Sequence, residues 1–300
     1  MPCPDTCENT NVQLCRHARS RWPQMRMPAL SVMLVLTALL WPMLAGAQPV
    51  PTAPTALENL ERGDQLVLRG SYLAAIEAYN GVRDDFYAER AALGTSRAHT
   101  QTGQYERAIT VAQQAMGSPS DSPLLATQLA ELYVMTGRSA DALALMQETV
   151  DGLATPPVRA LVQYGSVLAL RGEHEQAAEQ FNAALARYDD GLVFESADVG
   201  MVALAAWQLG EFHDANALFN EAVRLDGNNL EALVLWGNLF QDKFNDEDAQ
   251  QNFNQALDVN PRYTPALVGL AKIIGPERNL TRALDINSRE VSALETFGLM

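Results

Sequence analysis

The chain has 300 residues, 48% of them hydrophobic and 7% aromatic, with 21 basic against 36 acidic side chains and a formal net charge of −15. Such an excess of acid argues against nucleic acid as a partner, because phosphate binding needs a basic face and gains from counterion release. With so few aromatics, buried surface must come from small and aliphatic side chains, which fits stacked helices better than a compact mixed domain.

Residues 1–24 lie ahead of an export-like segment. From Met25 to Ala47 the sequence MRMPALSVMLVLTALLWPMLAGA joins one Arg to an apolar run and ends in Ala45-Gly46-Ala47, the small-residue pattern of a signal-peptidase site. A signal peptide over 25–47, cleaved after Ala47, is therefore expected. Arg16, Arg19 and Arg21 extend its positive flank. The apolar run from Ala29 to Leu44 is interrupted by Pro42 and falls short of the roughly 18 residues of a spanning helix, which favours cleavage over anchoring and excludes membrane insertion once cleavage has occurred.

The three cysteines, Cys3, Cys7 and Cys15, all precede this segment. A zinc site drawn from them and His17 would be stranded ahead of the signal, so no metal or cofactor is expected. Residues 1–24 read instead as a translated leader or a mis-set start, with the true start at Met25 or Met27. The mature protein is expected in the periplasm or at the cell surface, without disulfides. Residues 48–55, QPVPTAPT, form a Pro-rich tether. The first 47 residues hold four of the basic and two of the acidic groups, which leaves 17 basic and 34 acidic groups beyond them.

From Gly63 onward one pattern returns every 33 to 38 residues. Its first copy reads Gly63, Leu66, Gly70, Tyr72, Ala75, Tyr79 and Val82, and its second Ser96, His99, Gly103, Tyr105, Ala108, Ala112 and Ala115. Later copies follow from Ala130, Gly165, Ala203 and Gly237. Gly70, Gly103, Gly137, Gly172 and Gly210 stand where a first helix must end in a left-handed cap. Gly63, Gly165 and Gly237 supply the small residue of the first helix, and Ala75, Ala108, Ala142, Ala177, Ala215 and Ala249 the matching residue of the second. Tyr79, Phe181, Phe219 and Phe253 recur on one face and should wedge between successive units. Asp or Pro marks the boundaries, as at Ser122-Pro123, Pro156-Pro157, Asp226-Gly227 and Asn260-Pro261.

This periodicity resembles the tetratricopeptide repeat, a helix-turn-helix unit of about 34 residues. The resemblance implies an all-α fold, a right-handed superhelical solenoid of antiparallel helix pairs over residues 56–300. Units are expected at about 56–89, 89–122, 123–157, 158–195, 196–229 and 230–263. A seventh, at 264–288, is shortened, its second helix reduced to Asn279–Asp285. An eighth begins at 289 and stops in mid-helix at 300. The apolar end Phe297-Gly298-Leu299-Met300 is not the polar cap usual for terminal repeats, and implies a fragment of a longer protein or a last helix covered by a partner.

The family's function resides in a concave groove lined by the first helices, where a protein or peptide partner binds. By register the groove candidates here are Asp64, Arg90, Arg97, Gln101, Glu131, Arg159, Trp207, Gln208, Asn238 and Gln241, with Glu231 and Ser166 on the same faces. The clamp that grips the C-terminal carboxylate of heat-shock chaperones is missing: its first-lysine positions read Leu60, Leu93, Thr127, Val162, Gly200 and Val234, and only Asn238 matches its asparagine. The segment from about 195 to 300 also resembles the amino-terminal repeat region of large exported bacterial proteins, some of which carry a gluzincin metallopeptidase domain. On that alternative the chain recruits substrate for a catalytic domain beyond residue 300.

No catalytic pattern stands out within these 300 residues. There is no P-loop, no Gly-x-Ser-x-Gly elbow and no Gly-x-Gly-x-x-Gly, and His174-Glu175-Gln176-Ala177-Ala178 lacks the second histidine of a zinc-protease helix. His174 reads as a packing substitution for Tyr or Phe, and His99 and His213 as lone histidines. The expectation is a non-catalytic binding scaffold, with self-association through the C-terminal helix as a further route to assembly.

Overall fold

In a computed structural model, residues 54–298 form fifteen α-helices and, among these described residues, no strand. The export segment, the three cysteines and most of the tether lie outside the described residues, as do the side chain of Phe297 and residues 299–300. The helices pair in chain order. Unit 1 is α1 (Ala56–Leu68) and α2 (Tyr72–Asn80); unit 2 is α3 (Asp85–Gln101) and α4 (Tyr105–Ala115); unit 3 is α5 (Pro123–Met135) and α6 (Ser139–Asp151). Unit 4 is α7 (Val158–Leu170) and α8 (His174–Asp189); unit 5 is α9 (Ser196–Gln208) and α10 (Phe212–Leu225); unit 6 is α11 (Leu230–Asp242) and α12 (Asp246–Val259). Unit 7 is α13 (Thr264–Ile274) and α14 (Pro276–Ile286), and α15 (Val291–Phe297) begins an eighth. Each helix packs on its chain neighbour, and each odd-numbered helix also packs on the next odd-numbered one. The result is the stacked-pair superhelix expected.

The turn inside each of the first five units is set by glycine. Gly70, Gly103, Gly137, Gly172 and Gly210 have φ between 71° and 84°. In unit 1 the amide of Gly70 donates to the Val67 carbonyl and that of Ser71 to the Leu66 carbonyl, at 2.9 and 2.8 Å, so two carbonyls left over at the helix end are satisfied. Unit 6 makes the same turn without glycine: Phe244 takes φ 57°, with its ring 95% exposed. Helix starts are written as locally. Thr55 accepts from the Glu58 amide while Glu58 accepts from the Thr55 amide, and Asn229 and Asn245 cap α11 and α12.

The aromatic wedges are as expected, and they define what the small residues are for. Phe253 is fully buried, and a methyl group on either Gly237 or Gly269 would collide with its ring. Tyr79 stands in the same way against Gly63 and Gly94, and Phe181 against Gly165. Gly63, Gly94, Gly165, Gly237 and Gly269 thus make room for a ring rather than for the alanine of the second helix, whereas Gly200 of α9 faces Ala232 and Ala222. Ala75, Ala108, Ala142, Ala177, Ala215 and Ala249 are all buried at 2% exposure or less.

Two boundaries differ from the sequence expectation. Unit 2 starts at Asp85 rather than near residue 89, because the Asp84 carboxylate accepts from the Phe86 amide and caps α3 early. Unit 7 does span only 27 residues from the start of α13 to the start of α15, yet its second helix is whole, at 11 residues. Relative to unit 6 the first helix is shorter by two residues (11 against 13), the second by three (11 against 14), and the turn by two, since Gly275 alone (φ 105°) joins α13 to α14 and Pro276 opens the new helix.

Contacts between the two ends of the array break the rule that repeats touch only their neighbours. The Tyr72 hydroxyl donates to the Arg262 carbonyl (3.3 Å), and the Asn260 amide group donates to the Tyr72 hydroxyl (3.1 Å) and the Val67 carbonyl (3.3 Å). One unit further on the contact recurs. The Tyr105 hydroxyl donates to the Arg289 carbonyl (3.1 Å), the Asn287 amide group to the Tyr105 hydroxyl (3.1 Å), and the Arg289 guanidinium lies 4.8 Å from the Tyr105 ring centre. The boundary edge of units 6 to 8 therefore rests on the turn edge of units 1 and 2, and the superhelix closes one turn like a lock washer. Both asparagines are 1% exposed, and their oxygens fill the space that Gly70 and Gly103 leave open.

Candidate functional site

Closure gathers the first-helix faces around one inner space. At its centre Arg159 of α7 and Glu231 of α11 form a two-point ion pair, Nη1 to Oε1 at 3.1 Å and Nη2 to Oε2 at 2.8 Å, that skips over α9. Arg97 of α3 has only the Gln128 side chain, at 3.4 Å. Glu131 of α5 has no hydrogen-bond or ion-pair partner among the described residues, yet feels Glu231, Arg97, Arg159 and Glu290. Chain positions as distant as 97 and 290 therefore share one electrostatic environment.

The pKa directions report how enclosed this space is. Burial, and then the nearby Glu231 charge, raise the Glu131 carboxyl above its usual value. Burial likewise raises Asp198 and Glu290, the latter against opposing hydrogen bonds from Thr264 and Asn287. Burial works against the charge of Glu231 too, but the Arg159 guanidinium prevails and holds its carboxyl below the usual range. Glu231 in turn holds Arg159 protonated, while burial and then Arg159 lower Arg97. By surface area, however, Arg97 and Glu131 are exposed and Glu231 half-exposed. These side chains reach water while protein surrounds them, as in a wetted internal space. Water access keeps the electrostatic effects here well below those of a dry core.

The sequence candidates divide accordingly. Arg97, Glu131 and Arg159 come together. Asp64 and Arg90 pair with each other at 2.6 Å, near the surface, and Asp64 also accepts from the Tyr79 hydroxyl. Gln101 points a buried Oε1 at no partner. Gln241 donates to the Gly269 carbonyl, fastening unit 6 to unit 7, Asn238 is half-buried and Gln208 exposed. Trp207 is half-buried and packs on the main core, so it serves stability as well as any surface. Sequence register missed Asp198, Tyr263 and Glu290. The last two follow directly on Arg262 and Arg289, so the residues that close the turn deliver them inward.

His174 is exposed, not packed as expected, because nothing covers the turn of unit 4. The six positions where a chaperone clamp would begin are all buried core positions, which accounts for their small or apolar side chains. Among the described residues no group of three His, Cys, Asp or Glu side chains could hold a metal ion, and no helix is long and apolar enough to cross a membrane.

A family model described as "Tetratricopeptide repeat" matches residues 60–123 and 127–191. Over these residues the chain carries tetratricopeptide repeats. The helix pairs continue the pattern past the matched residues as far as α14. No curated relative matches the chain. Among solved structures it is similar to a tetratricopeptide repeat protein from Parabacteroides merdae (14% identity over 81% of this chain and 98% of that one, TM-score 0.48). It is also similar to a thermophilic TPR protein of Thermus thermophilus (19% identity, 62% and 100% covered, TM-score 0.46). YrrB, described as a TPR protein with an unusual peptide-binding site, matches at 16% identity over 59% of this chain and 89% of its own, with a TM-score of 0.33. As a tetratricopeptide-repeat array the molecule is a scaffold for protein–protein interaction.

Proposed function

We propose that this protein is an exported, non-catalytic scaffold that holds a protein or peptide partner against the concave faces of its first helices. The reading rests on one observation above the others: in an array packed with Ala, Leu and aromatic wedges, Arg97, Glu131, Arg159 and Glu231 converge from four separate units on one wetted space. The repeat does not call for charged side chains at such a place, since units 1, 3 and 5 carry Leu57, Leu124 and Ala197 where units 4 and 6 carry Arg159 and Glu231, whereas spaced polar contacts are what orients an extended segment. Export to the periplasm or cell surface rests on the segment 25–47 and its Ala45-Gly46-Ala47 end. No observation favours the peptidase-linked alternative.

Cross-linking pull-down from the cell-envelope fraction tests the reading. A Glu131→Ser/Arg97→Ser variant should lose the partner captured by the natural protein while keeping its helical circular-dichroism signal. Capture that survives this change, but is lost on altering Glu247 and Asp258 on the exposed face of α12, would place the partner on the outside instead. N-terminal sequencing of the exported protein should begin at Gln48.

A further inference from the structure

The contact that closes the superhelix is built differently from the packing between neighbouring units. Between neighbouring units helices pack along their length, but no helix of units 1 or 2 packs in this way against α12, α13, α14 or α15. The link runs through helix-end and boundary residues: Tyr72 and Val67 with Asn260 and Arg262, and Tyr105 with Asn287 and Arg289. A repeat array holds together through nearest neighbours, so these bonds can break without unfolding any unit. The asparagines are organised for the contact in advance. Asn260 Oδ1 accepts from the Arg262 amide at 2.9 Å and Asn287 Oδ1 from the Arg289 amide at 3.0 Å, which leaves each side-chain amide group aimed at its tyrosine.

The link is also joined to the inner space. Tyr263 follows Arg262 and lies within reach of the charges of Glu231, Glu131 and Arg159. Glu290 follows Arg289 and accepts from both Asn287 and Thr264 at 3.1 Å. The same step of the backbone that fastens the link therefore carries a side chain into the space where, on the functional reading above, the partner sits.

We propose that the paired Asn260–Tyr72 and Asn287–Tyr105 contacts are a latch, which opens the superhelical turn as a unit and controls sideways entry of a partner segment into the inner space. The latch rests on that functional reading for what enters, but not for whether it opens. With the latch shut, only a segment threaded along the superhelix axis reaches Arg97 and Glu131. With it open, the first-helix faces of units 1 to 3 become an accessible groove, and Tyr263 and Glu290 withdraw.

The test uses the full chain with Cys3, Cys7 and Cys15 replaced by Ser and one reporter, Glu131→Cys, placed in the inner space. Its labelling by a bulky polyethylene-glycol maleimide is compared with labelling by N-ethylmaleimide, in the natural latch and in Asn260→Ala/Asn287→Ala, alongside small-angle scattering and circular dichroism. The latch predicts a larger radius of gyration, unchanged helicity, and bulky-reagent labelling faster by at least about tenfold, the shift in open population expected from losing three hydrogen bonds across the link even at the low end of their net worth, with the small reagent unaffected. An unchanged radius, or an open form that labels no faster with the bulky reagent, overturns it, as does loss of helicity in proportion to opening. Should the alanine pair fail to fold, Tyr72→Phe/Tyr105→Phe removes only the two hydroxyls, and the same labelling and scattering outcomes support or overturn the latch. Loss of partner capture without any change in labelling would spare the scaffold reading and remove the latch.

Discussion

Units 1 and 2 and units 3 to 5 use the same turn, and the difference between them lies in what rests on it. Gly70 and Gly103 are buried and Gly137, Gly172 and Gly210 exposed, although all five share the left-handed backbone. Two residues further on stand Tyr72 and Tyr105, each 2% exposed, against the half-exposed Ser139 and Phe212 and the exposed His174. Where the turn is bare, glycine serves only the backbone. Where it is covered, the missing Cβ also admits the Asn260 or Asn287 oxygen. One sequence feature thus carries two physical requirements, and only the first is periodic.

The regular array sets the scale for that comparison. Phe253→Ala, which empties the slot between Gly237 and Gly269, should cost about 3 to 5 kcal/mol in urea unfolding, as truncation of a fully buried ring does. A loss under about 1 kcal/mol would mean that the two glycine faces collapse together and that rings do not define the stack.

Next come the two kinds of turn. Gly137→Ala meets nothing within 4 Å and should cost only the roughly 1 to 2 kcal/mol of placing an L-residue in the left-handed region. Gly103→Ala bears the same backbone cost and collides with Asn287 as well, so it should cost about 1 kcal/mol more. Equal losses would break the distinction between covered and bare turns. Phe244→Gly sharpens it from the other side, since an exposed ring at φ 57° gives nothing back for its strain, and the variant should gain about 1 kcal/mol in midpoint-derived stability. No gain would show that the Phe244 ring has a contact of its own.

The smallest expected effect is electrostatic. Because burial raises the Glu131 carboxyl, the folded chain holds that proton more tightly than the unfolded one. The stability this gives is present below the ordinary carboxylate value and is lost as pH rises through the raised one. Glu131→Gln should therefore stabilise the fold at neutral pH, by less than about 1 kcal/mol since water reaches the group, with the advantage shrinking as pH falls into the carboxylate range. Glu231 works with the opposite sign: its lowered value supplies stability at neutral pH that is lost as pH falls through that lowered value, and Glu131→Gln should leave this acid limb unchanged. Urea midpoints measured from neutral to acid pH check both limbs. An advantage that grows on acidification would contradict the assignment.

What could be read from the sequence follows from this. Turn glycines, wedge rings and boundary residues are local features repeated many times, so their spacing reveals them. The early start of α3 turns on one carboxylate, Asp84, and the whole second helix of unit 7 on Pro276 opening it directly after Gly275. Register found Arg97, Glu131 and Arg159 because they lie on equivalent faces of first helices. Trp207, from a similar position, is half-buried and packs on the core as well. The closing contact joins residues 190 and 184 apart and cannot appear as a period. Its trace was nonetheless present, as Gly-x-Tyr in units 1 and 2 alone and Asn-x-Arg at 260–262 and 287–289.

The closure of one superhelical turn is tested most directly by a double-mutant cycle on Tyr105→Phe and Asn287→Ala in urea unfolding. These residues are 182 apart in sequence and joined by one hydrogen bond of 3.1 Å. Closure predicts a coupling energy of at least about 0.5 kcal/mol, whereas additivity within about 0.3 kcal/mol would show that the turn does not close.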